Sequence, residues 1–304
     1  MADGTPLIID TDIGGDPDDA IALAAAARTV PELVLVLTND ETGPDVGHGQ
    51  RARFARRLLD ALGRDDVEVA AGHSAGATRY FCVEDLVPER TAPSALHDRS
   101  APSSDVLTAV GKVLAATGGP VRWVGIGAFS NLARVLRELP EAAPRLRVTQ
   151  MGGALRYRDP SRAEHNVRMD VPAAHDFLRH VAAGRLPRPT LVTSDVTFTT
   201  HIEVTPESAP RLLPVRADGP EWAALLRRHL DRWFARFYPG SMQHDALALS
   251  AALGLPFVRT ERASVALDGI GRMSAAEGGA EVRLSVSADY PAFNDWLERV
   301  LQAP

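Results

Sequence analysis

Five aspartates lie within residues 10–19, and they are the side chains of this sequence best suited to chemistry: Asp10, Asp12, Asp16, Asp18 and Asp19. Carboxylates this close together repel one another, so such a site must either take up protons or bind a cation. Hard oxygen ligands favour Ca²⁺ or Mg²⁺ over zinc or copper. The segment therefore predicts a divalent-metal site.

The flanking sequence predicts where this acidic segment lies in the fold. Residues 7–9 form an apolar run typical of a buried parallel strand, and residues 20–27 follow the pattern of a helix. Sites in open α/β sheets form at the carboxyl ends of strands. A solvated acidic turn is the simpler interpretation, but such a turn needs no strand leading into it.

Two other acidic motifs were weighed against this interpretation. In an EF-hand loop counted from Asp10, Gly15 fits the sixth place, but the twelfth place holds Ile21 instead of glutamate, so that motif fails. A phosphatase of the haloacid-dehalogenase type also begins with a strand and Asp-x-Asp. Its usual threonine or valine is Gly14 here, and the single lysine, Lys112, lies inside a predicted helix. This phosphatase is therefore the second choice.

Charge, cysteine content and hydropathy exclude several classes of protein. The net charge of −6 argues against a general nucleic-acid binder, and the single cysteine, Cys82, excludes an intramolecular disulfide. No apolar run reaches the length of a membrane span, and the chain enters its first predicted strand without a signal-peptide pattern. We therefore expect a cytoplasmic protein that binds neither nucleic acid nor membrane.

Strand-like and helix-like segments alternate along the 304 residues. Strands are predicted at 7–9, 33–38, 67–70, 121–126, 147–151 and 190–193, and helices at 20–27, 48–62, 106–116, 131–139, 171–183, 221–237, 244–253 and 292–301. Residues 72–103 have an irregular pattern, and residues 257–286 alternate as in a hairpin. The alternation predicts an α/β fold, with an open, mostly parallel, Rossmann-like sheet and helices on both faces, in one domain over residues 1–304.

Four separated motifs resemble those of the inosine-uridine-preferring nucleoside hydrolase family. They are Asp-Thr-Asp-Ile-Gly-Gly-Asp-Pro-Asp-Asp at 10–19, Gly-Ile-Gly-Ala-Phe-Ser-Asn-Leu-Ala at 125–133, Met-Gly-Gly-Ala at 151–154 with Ala-Glu-His-Asn-Val-Arg-Met-Asp at 163–170, and His-Asp-Ala-Leu-Ala at 244–248. A lone Asp-x-Asp is weak evidence, but four motifs in order and in matching register span nearly the whole chain. The resemblance implies a nucleoside hydrolase fold and a Ca²⁺-dependent N-ribohydrolase.

The resemblance also implies roles for individual residues. The implied calcium ligands are Asp12, Asp19, Asp245 and the carbonyl oxygen of Ile126, with Asp10 supporting them from behind. The implied ribose contacts are Asp18, Asn39, Glu164 and Asn166. The implied partner is a small-molecule nucleoside, and the implied assembly is a homodimer or a homotetramer.

The sequence departs from the family pattern in places that concern the substrate. The first motif is longer than the family's shortest form and includes Asp16. A ribose-contacting asparagine of the family falls near Arg158, and His165 stands where the family often has phenylalanine. Residues that contact the base are poorly matched, so no base preference is implied.

Cleavage of an N-glycosidic bond explains why these residue types are needed. Positive charge develops on the ribose as the bond breaks, and Ca²⁺ can orient a water and the ribose diol. Asp12, beside both metal and water, is the predicted general base, and Asp18 on the 2′-hydroxyl would bind more strongly as the cation forms. His244, next to Asp245, is the predicted acid for the departing base, with His165 as the alternative.

Several of these residues also have purely structural interpretations. His244 could be a structural histidine and Glu164 a surface acid, while Asn39 follows a strand, where turn-forming asparagine is common. Trp222 and Trp233 lie on one predicted helix, where packing in the core is a simpler role than stacking on a base.

The sequence also permits three alternatives to a nucleoside hydrolase. The first is the metal-dependent phosphatase. The second is a hydrolase of a phosphorylated or modified ribosyl substrate, because the arginines between residues 156 and 168 could bind phosphate, although such arginines are more often solvated. The third is a non-catalytic protein stabilised by calcium, against which the complete set of expected carboxylates argues.

Overall fold

A computed structural model describes residues 4–42, 48–74, 76, 78, 80–87, 105–213 and 219–303. The strands are β1 (Leu7–Thr11), β2 (Leu33–Asp40), β3 (Glu68–Ser74), β4 (Val121–Gly125), β5 (Leu146–Met151), β6 (Thr190–Val192), β7 (Glu203–Val204), β8 (Ser241–Met242), β9 (Val258–Leu267), β10 (Met273–Ala275) and β11 (Ala280–Ala288). The helices are α1 (Asp18–Thr29), α2 (Gln50–Ala61), α3 (Val106–Ala116), α4 (Ser130–Glu138), α5 (His165–Met169), α6 (Val171–Ala182), α7 (Ser194–Thr197), α8 (Ala209–Leu212), α9 (Glu221–Arg236), α10 (His244–Ala252) and α11 (Tyr290–Gln302).

Nine of these strands form one sheet in the order β10-β9-β11-β6-β5-β4-β1-β2-β3. Along the sheet from β3 through β2, β1, β4, β5 and β6 to β11, each strand pairs in parallel with the next. The two remaining pairs, β11 with β9 and β9 with β10, are antiparallel. The α/β fold with a mostly parallel sheet is therefore confirmed. The hairpin predicted at 257–286 is a three-stranded antiparallel extension, which β11 joins to the parallel sheet.

The sheet has a switch point at β1, and this position creates the crevice for a site. The chain moves outward from β1 to β2 and β3, and then returns to the other side of β1 for β4, β5 and β6. Loops after β1 and β4 therefore leave in opposite directions, and a crevice opens between them at the carboxyl ends of the strands. The acidic segment follows β1 and lies at this crevice.

Apolar side chains cover both faces of the sheet, as the continuous hydrophobic strands predict. One buried cluster packs α1, α2, α9, α10 and α11 against the sheet, and the other packs α3, α4 and α6 against the opposite face. No helix among the described residues is both long and apolar enough to cross a membrane.

Some element boundaries differ from the sequence-based expectation in ways that affect the site. β1 extends through Asp10 to Thr11, and α1 begins at Asp18 instead of residue 20. β3 reaches Ser74, so the segment predicted to be irregular begins later, and its residues 88–103 lie outside the described residues. The short elements α5, α7, α8, β7 and β8 were not predicted, because so few residues carry no clear periodicity.

Candidate active site

A cavity of about 400 Å³ lies at the carboxyl ends of β1, β4 and β5. It brings together eight of the ten residues singled out from the sequence: Asp12, Asp18, Asp19, Ile126, Glu164, Asn166, His244 and Asp245. The other two, Asp10 and Asn39, are buried behind it. Residues that are up to 233 positions apart in the chain thus share one cavity, as the four motifs predicted.

Asp18, Asp19 and Asp245 form a compact group of acidic side chains, here called the aspartate trio. Each offers one carboxylate oxygen, and these oxygens lie within 4.8 Å of one another. Asp18 and Asp19 begin α1 and Asp245 lies in the first turn of α10, so both helix dipoles favour negative charge here. Burial raises the pKa of each carboxyl well above its usual range, and the repulsion between them raises it further.

The chemistry of the aspartate trio fits a hard divalent cation. All the donor atoms are oxygens, the three side chains are almost completely buried, and no cationic side chain pairs with any of them among the described salt bridges. Ca²⁺ takes six to eight oxygen ligands and tolerates irregular geometry. A site of this kind would exchange mutual repulsion for attraction to the ion.

The trio differs in one member from the calcium ligands implied by the resemblance. Asp18, expected to contact ribose, stands in the group, whereas Asp12 belongs to a second group with Glu41 and His165. Asp12 is still close, since its charge contributes to the raised pKa of all three trio carboxyls. Calcium ligation by Asp12 and by the Ile126 carbonyl stays a prediction.

Asp10 supports the site from inside the sheet. Its Oδ1 accepts hydrogen bonds from Asn131 Nδ2 at 2.8 Å and from Asn39 Nδ2 at 3.1 Å. Burial raises the pKa of Asp10 to about 8. Gly127 lets the β4 loop approach this network, because a Cβ there would lie 2.9 Å from the backbone nitrogen of Asp12 and 3.0 Å from Asn39 Nδ2.

Glu164 and Asn166 are buried, so a surface role for Glu164 is excluded. Glu164 caps α5, and its Oε2 accepts hydrogen bonds from the backbone nitrogens of Gly153 at 2.9 Å and Val167 at 3.3 Å. Asn166 Nδ2 donates to the Met151 carbonyl at 3.2 Å. Both side chains are held rigidly at the cavity wall, as contacts to a sugar would require, although ribose contact itself stays a prediction.

His244 lies against Thr197 and Phe198 on the other side of the cavity. Its Nδ1 and Thr197 Oγ1 are 2.7 Å apart, and its ring stacks on Phe198 with centroids 6.2 Å apart. Burial lowers the pKa of His244 to about 4, and the positive charge of Arg158 lowers it further. The imidazole is therefore neutral near pH 7, with Nδ1 already engaged.

The buried Glu41 and the partly exposed His165 form a pair that the sequence did not reveal. His165 Nε2 lies 3.5 Å from Glu41 Oε2, and Arg168 donates to His165 Nδ1 at 3.1 Å. Since arginine can only donate, Nδ1 must accept, and Nε2 carries the proton that faces Glu41. Burial opposes a positive charge on His165, but Glu41 outweighs it and raises the pKa of His165. Because both ring nitrogens face protein groups, His165 is a poor alternative to His244 as the acid.

Three aromatic side chains, Tyr80, Trp233 and Tyr238, form what we call the aromatic wall of the cavity. Their ring centroids are 5.6 to 6.0 Å apart, and the two tyrosine hydroxyls are 2.8 Å apart. Trp233 Nε1 donates to the Gly240 carbonyl at 3.0 Å. Trp233 is therefore both a core residue and part of the cavity, whereas Trp222 is a core residue that packs under Arg28.

Arg158 is the arginine of the 156–168 cluster that lines the cavity. Its guanidinium carbon lies 4.1 Å from the Phe198 ring centroid and 4.8 Å from that of Tyr157. Arg156 is exposed, with its closest carboxylate, that of Asp195, at 3.9 Å. Asp16, the additional residue of the first motif, also lines the cavity, and burial raises its pKa to about 8.

Comparison with known proteins gives matches to nucleoside hydrolases over nearly the whole chain. A family model described as inosine-uridine preferring nucleoside hydrolase matches residues 7–295. The chain is 26% identical to the non-specific ribonucleoside hydrolase RihC of Shigella boydii, over 97% of this chain and 98% of that protein. The same protein of Escherichia fergusonii is also 26% identical, with the same coverage.

Solved structures share the fold at lower sequence identity. A plant nucleoside hydrolase superposes with a TM-score of 0.78 at 22% identity, covering 99% of this chain and 100% of the other. A purine-preferring ribonucleoside hydrolase from Gardnerella vaginalis gives 0.75 at 20% identity, covering 98% of each chain. An inosine-uridine preferring nucleoside hydrolase from Bacillus anthracis gives 0.73 at 18% identity, covering 98% and 99%.

Proposed function

The chain belongs to the inosine-uridine preferring nucleoside hydrolase family and is an N-ribohydrolase, and from this premise we propose that it uses Ca²⁺ to hydrolyse ribonucleosides to ribose and free base. The observation that carries the proposal is the aspartate trio, whose buried oxygens lie within 4.8 Å of one another. A bound Ca²⁺ would supply the positive charge that orients the ribose diol and lowers the pKa of an attacking water.

Asp12 is the proposed general base. Its carboxylate lines the cavity and is partly exposed, so it can reach a water that the buried trio cannot. It would take a proton from water as the oxygen attacks the anomeric carbon of the sugar. We propose that Asp12, Asp19, Asp245 and the Ile126 carbonyl ligate the metal, with Asp10 holding this end of the site through Asn39 and Asn131.

The remaining carboxylates would stabilise the sugar as positive charge develops on it. Asp18 is proposed to accept a hydrogen bond from the 2′-hydroxyl, and this bond strengthens in the transition state. Glu164 and Asn166 are proposed to contact the other ribose hydroxyls, since both are fixed in place at the cavity wall. Asn39 lies behind the cavity, and it is proposed to contact the ribose through its Oδ1. This oxygen is buried without a hydrogen-bond partner, so it could accept a hydrogen bond from a sugar hydroxyl.

The departing base is proposed to lie between His244 and the aromatic wall. If Thr197 donates to His244 Nδ1, the remaining N–H of the neutral imidazole, on Nε2, can donate a hydrogen bond that stabilises the negative charge developing on the base as the glycosidic bond breaks. Stacking on Tyr80, Trp233 or Tyr238 recognises the flat face of a base and does not depend on which polar groups lie at the edge of that base. Broad base tolerance would agree with the name non-specific of the curated relatives.

A single assay tests the proposal. Metal-stripped protein is given a panel of ribonucleosides and their 5′-monophosphates, with Ca²⁺ or with chelator, and both free ribose and inorganic phosphate are measured. We expect Ca²⁺-dependent ribose release from the nucleosides. Phosphate release without ribose would favour the phosphatase, cleavage of the monophosphates alone would favour a phosphorylated substrate, and Ca²⁺ binding without turnover would favour the non-catalytic protein. A homodimeric or homotetrameric assembly, from the resemblance, and a cytoplasmic location, from the sequence pattern, stay predictions.

A further inference from the structure

The loop that carries the aspartates is held by its backbone carbonyls. This aspartate loop, residues 12–17, has three consecutive carbonyls that accept hydrogen bonds from three different parts of the chain. Arg51 Nη1 donates to the Ile13 carbonyl, the Cys82 nitrogen to the Gly14 carbonyl and His229 Nε2 to the Gly15 carbonyl, each at 3.0 Å. No two of these donors lie on the same helix or segment, so the conformation of the loop depends on how those segments pack.

Arg51, on α2, joins the aspartate loop to the aromatic wall. Its side chain is completely buried, and while Nη1 bonds to Ile13, Nη2 donates to the Tyr80 carbonyl at 3.2 Å. A buried guanidinium is costly unless it is well bonded. Its charge also opposes the rise in the pKa of Asp19, so it lies close enough to act on the trio electrostatically.

His229, on α9, makes the same kind of connection from the other side. It is completely buried, and because a carbonyl only accepts, its Nε2 must carry the proton donated to Gly15. Its ring packs edge-on against Phe54, with centroids 5.2 Å apart. Trp233 follows four residues later, which places it on the same side of α9 as His229.

We propose that Arg51 and His229 are positioning residues that couple the calcium site to the aromatic wall. Each side chain holds the aspartate loop, and each belongs to, or bonds to, an element that carries a ring of the wall. The loop conformation that binds Ca²⁺ and the wall conformation that receives the base are therefore stabilised by the same contacts. Binding at either place favours binding at the other, and this coupling is reciprocal.

The inference rests on the proposed function only in assuming that Ca²⁺ binds at the aspartate trio. The test uses the full chain, stripped of metal, and titrates it with Ca²⁺ in two ways. Calorimetry measures affinity for the metal, and tryptophan fluorescence measures the response of the wall, with Trp233→Phe identifying the part of the signal that Trp233 contributes.

Arg51→Lys and His229→Leu are the informative variants. Lysine keeps the charge, but one ammonium cannot bond two carbonyls in the fixed geometry of a guanidinium. Each variant is expected to weaken Ca²⁺ binding by about tenfold, in line with the loss of a buried hydrogen bond. At saturating Ca²⁺ the Trp233 response should be reduced, and KM for the nucleoside should rise more than kcat falls. His229→Gln, which keeps an N–H within reach, should restore much of both signals.

Arg56→Lys is the matched control. Arg56 is also a buried arginine of α2 that bonds two carbonyls, those of Val67 at 2.5 Å and Arg64 at 2.7 Å, but neither belongs to the aspartate loop. The Arg56→Lys substitution should leave Ca²⁺ affinity and the Trp233 response within about twofold of wild type. Circular dichroism checks that each variant is folded, and the His229 pair tests the inference if Arg51→Lys does not fold.

The results either support or overturn the coupling between the calcium site and the aromatic wall. Wild-type affinity and response in the folded Arg51 and His229 variants would overturn the coupling, and so would equal losses in the Arg56 control, which would indicate a general loss of stability. Wild-type protein that binds no Ca²⁺ would overturn the proposed calcium site itself, and this inference with it. Weakened binding and a reduced Trp233 response, confined to the loop-bonding variants, would support the coupling.

Discussion

Replacing Asp245 with asparagine should change stability in opposite directions with and without Ca²⁺. In metal-free protein, Asp245 faces two other carboxylates within 4.8 Å, and each of these pairs repels by roughly 3 kcal/mol at an effective dielectric constant of about 20. Protonation relieves this repulsion, but at pH 7 it costs about 4 kcal/mol for a carboxyl whose ordinary pKa is 3.8. The two repulsions together exceed this cost of protonation, so protonation sets the limit, and Asp245→Asn should stabilise the metal-free protein by about 4 kcal/mol.

In saturating Ca²⁺ the same substitution should be destabilising. The variant keeps an oxygen at this position but loses a buried charge that faces the ion. Removing one partner of a buried charged group costs roughly 3–5 kcal/mol. Because the metal-free variant is also about 4 kcal/mol more stable, the two effects add in the binding equilibrium, and Ca²⁺ affinity should fall by about 7 kcal/mol or more, a factor on the order of 10⁵. Wild-type protein, which keeps the metal, should therefore be the more stable of the two under these conditions.

Thermal unfolding measures both effects directly. For a chain of this size, about 4 kcal/mol corresponds to a Tm change of about 6 °C. We expect Asp245→Asn to melt above wild type in chelator and below it in Ca²⁺. Asp231→Asn is the control, because Asp231 is exposed on α9 and, among the described residues, forms a salt bridge only with Arg227; this substitution should change Tm little in either buffer. An Asp245→Asn variant that melts below wild type in chelator would refute the electrostatic reasoning.

Four further outcomes are expected. Asp12→Asn should lower turnover by about a hundredfold or more and weaken metal binding; steady-state rates within a few fold of wild type would mean that Asp12 is not the base. A 2′-deoxyribonucleoside should be a poor substrate, since Asp18 would lose its partner; equal kcat/KM for both sugars would exclude this contact. His244→Ala should slow inosine or uridine cleavage by about a hundredfold but spare a nitrophenyl riboside; equal losses would assign His244 to positioning. Metal-free protein should become more stable as the pH falls from 7 to 5, because the pKa values of Asp10 and Asp16 are raised in the folded state to about 8 while the unfolded chain stays ionised at both positions, and this outweighs the opposite effect of His229 and His244, whose pKa values are lowered to about 4; Tm against pH in chelator measures this, and a fall in Tm would contradict it.

The fold and the first part of the site could be predicted because their signals are local. Buried parallel strands appear as apolar runs, and the helices between them show a regular period, so the alternation alone predicts the α/β sheet. The five aspartates between the end of β1 and the start of α1 predicted a metal site by their spacing. The distant members, Glu164 and Asp245, came from motifs matched in order along the chain, and the cavity does contain them.

Other parts of the site left no recognisable local signal. Glu41 follows β2 as an ordinary acidic residue, and only the fold pairs it with His165. Tyr80 and Tyr238 are isolated tyrosines in the sequence, and they meet because the segment after β3 packs against the end of α9. The pKa of His244 depends on burial and on Arg158, neither of which can be read from its neighbours in sequence.

The sequence by itself therefore determined the α/β class, the acidic segment at the end of β1 and the family to which the chain belongs. Tertiary structure alone decided that Asp18, instead of Asp12, joins Asp19 and Asp245 in a group of three carboxylates whose oxygens lie within 4.8 Å of one another. It also decided that Arg51 and His229 bond to the aspartate loop. The physical reason is that periodicity and spacing report contacts between neighbours in the chain, whereas burial, charge repulsion and hydrogen bonding between distant segments depend on how the elements pack.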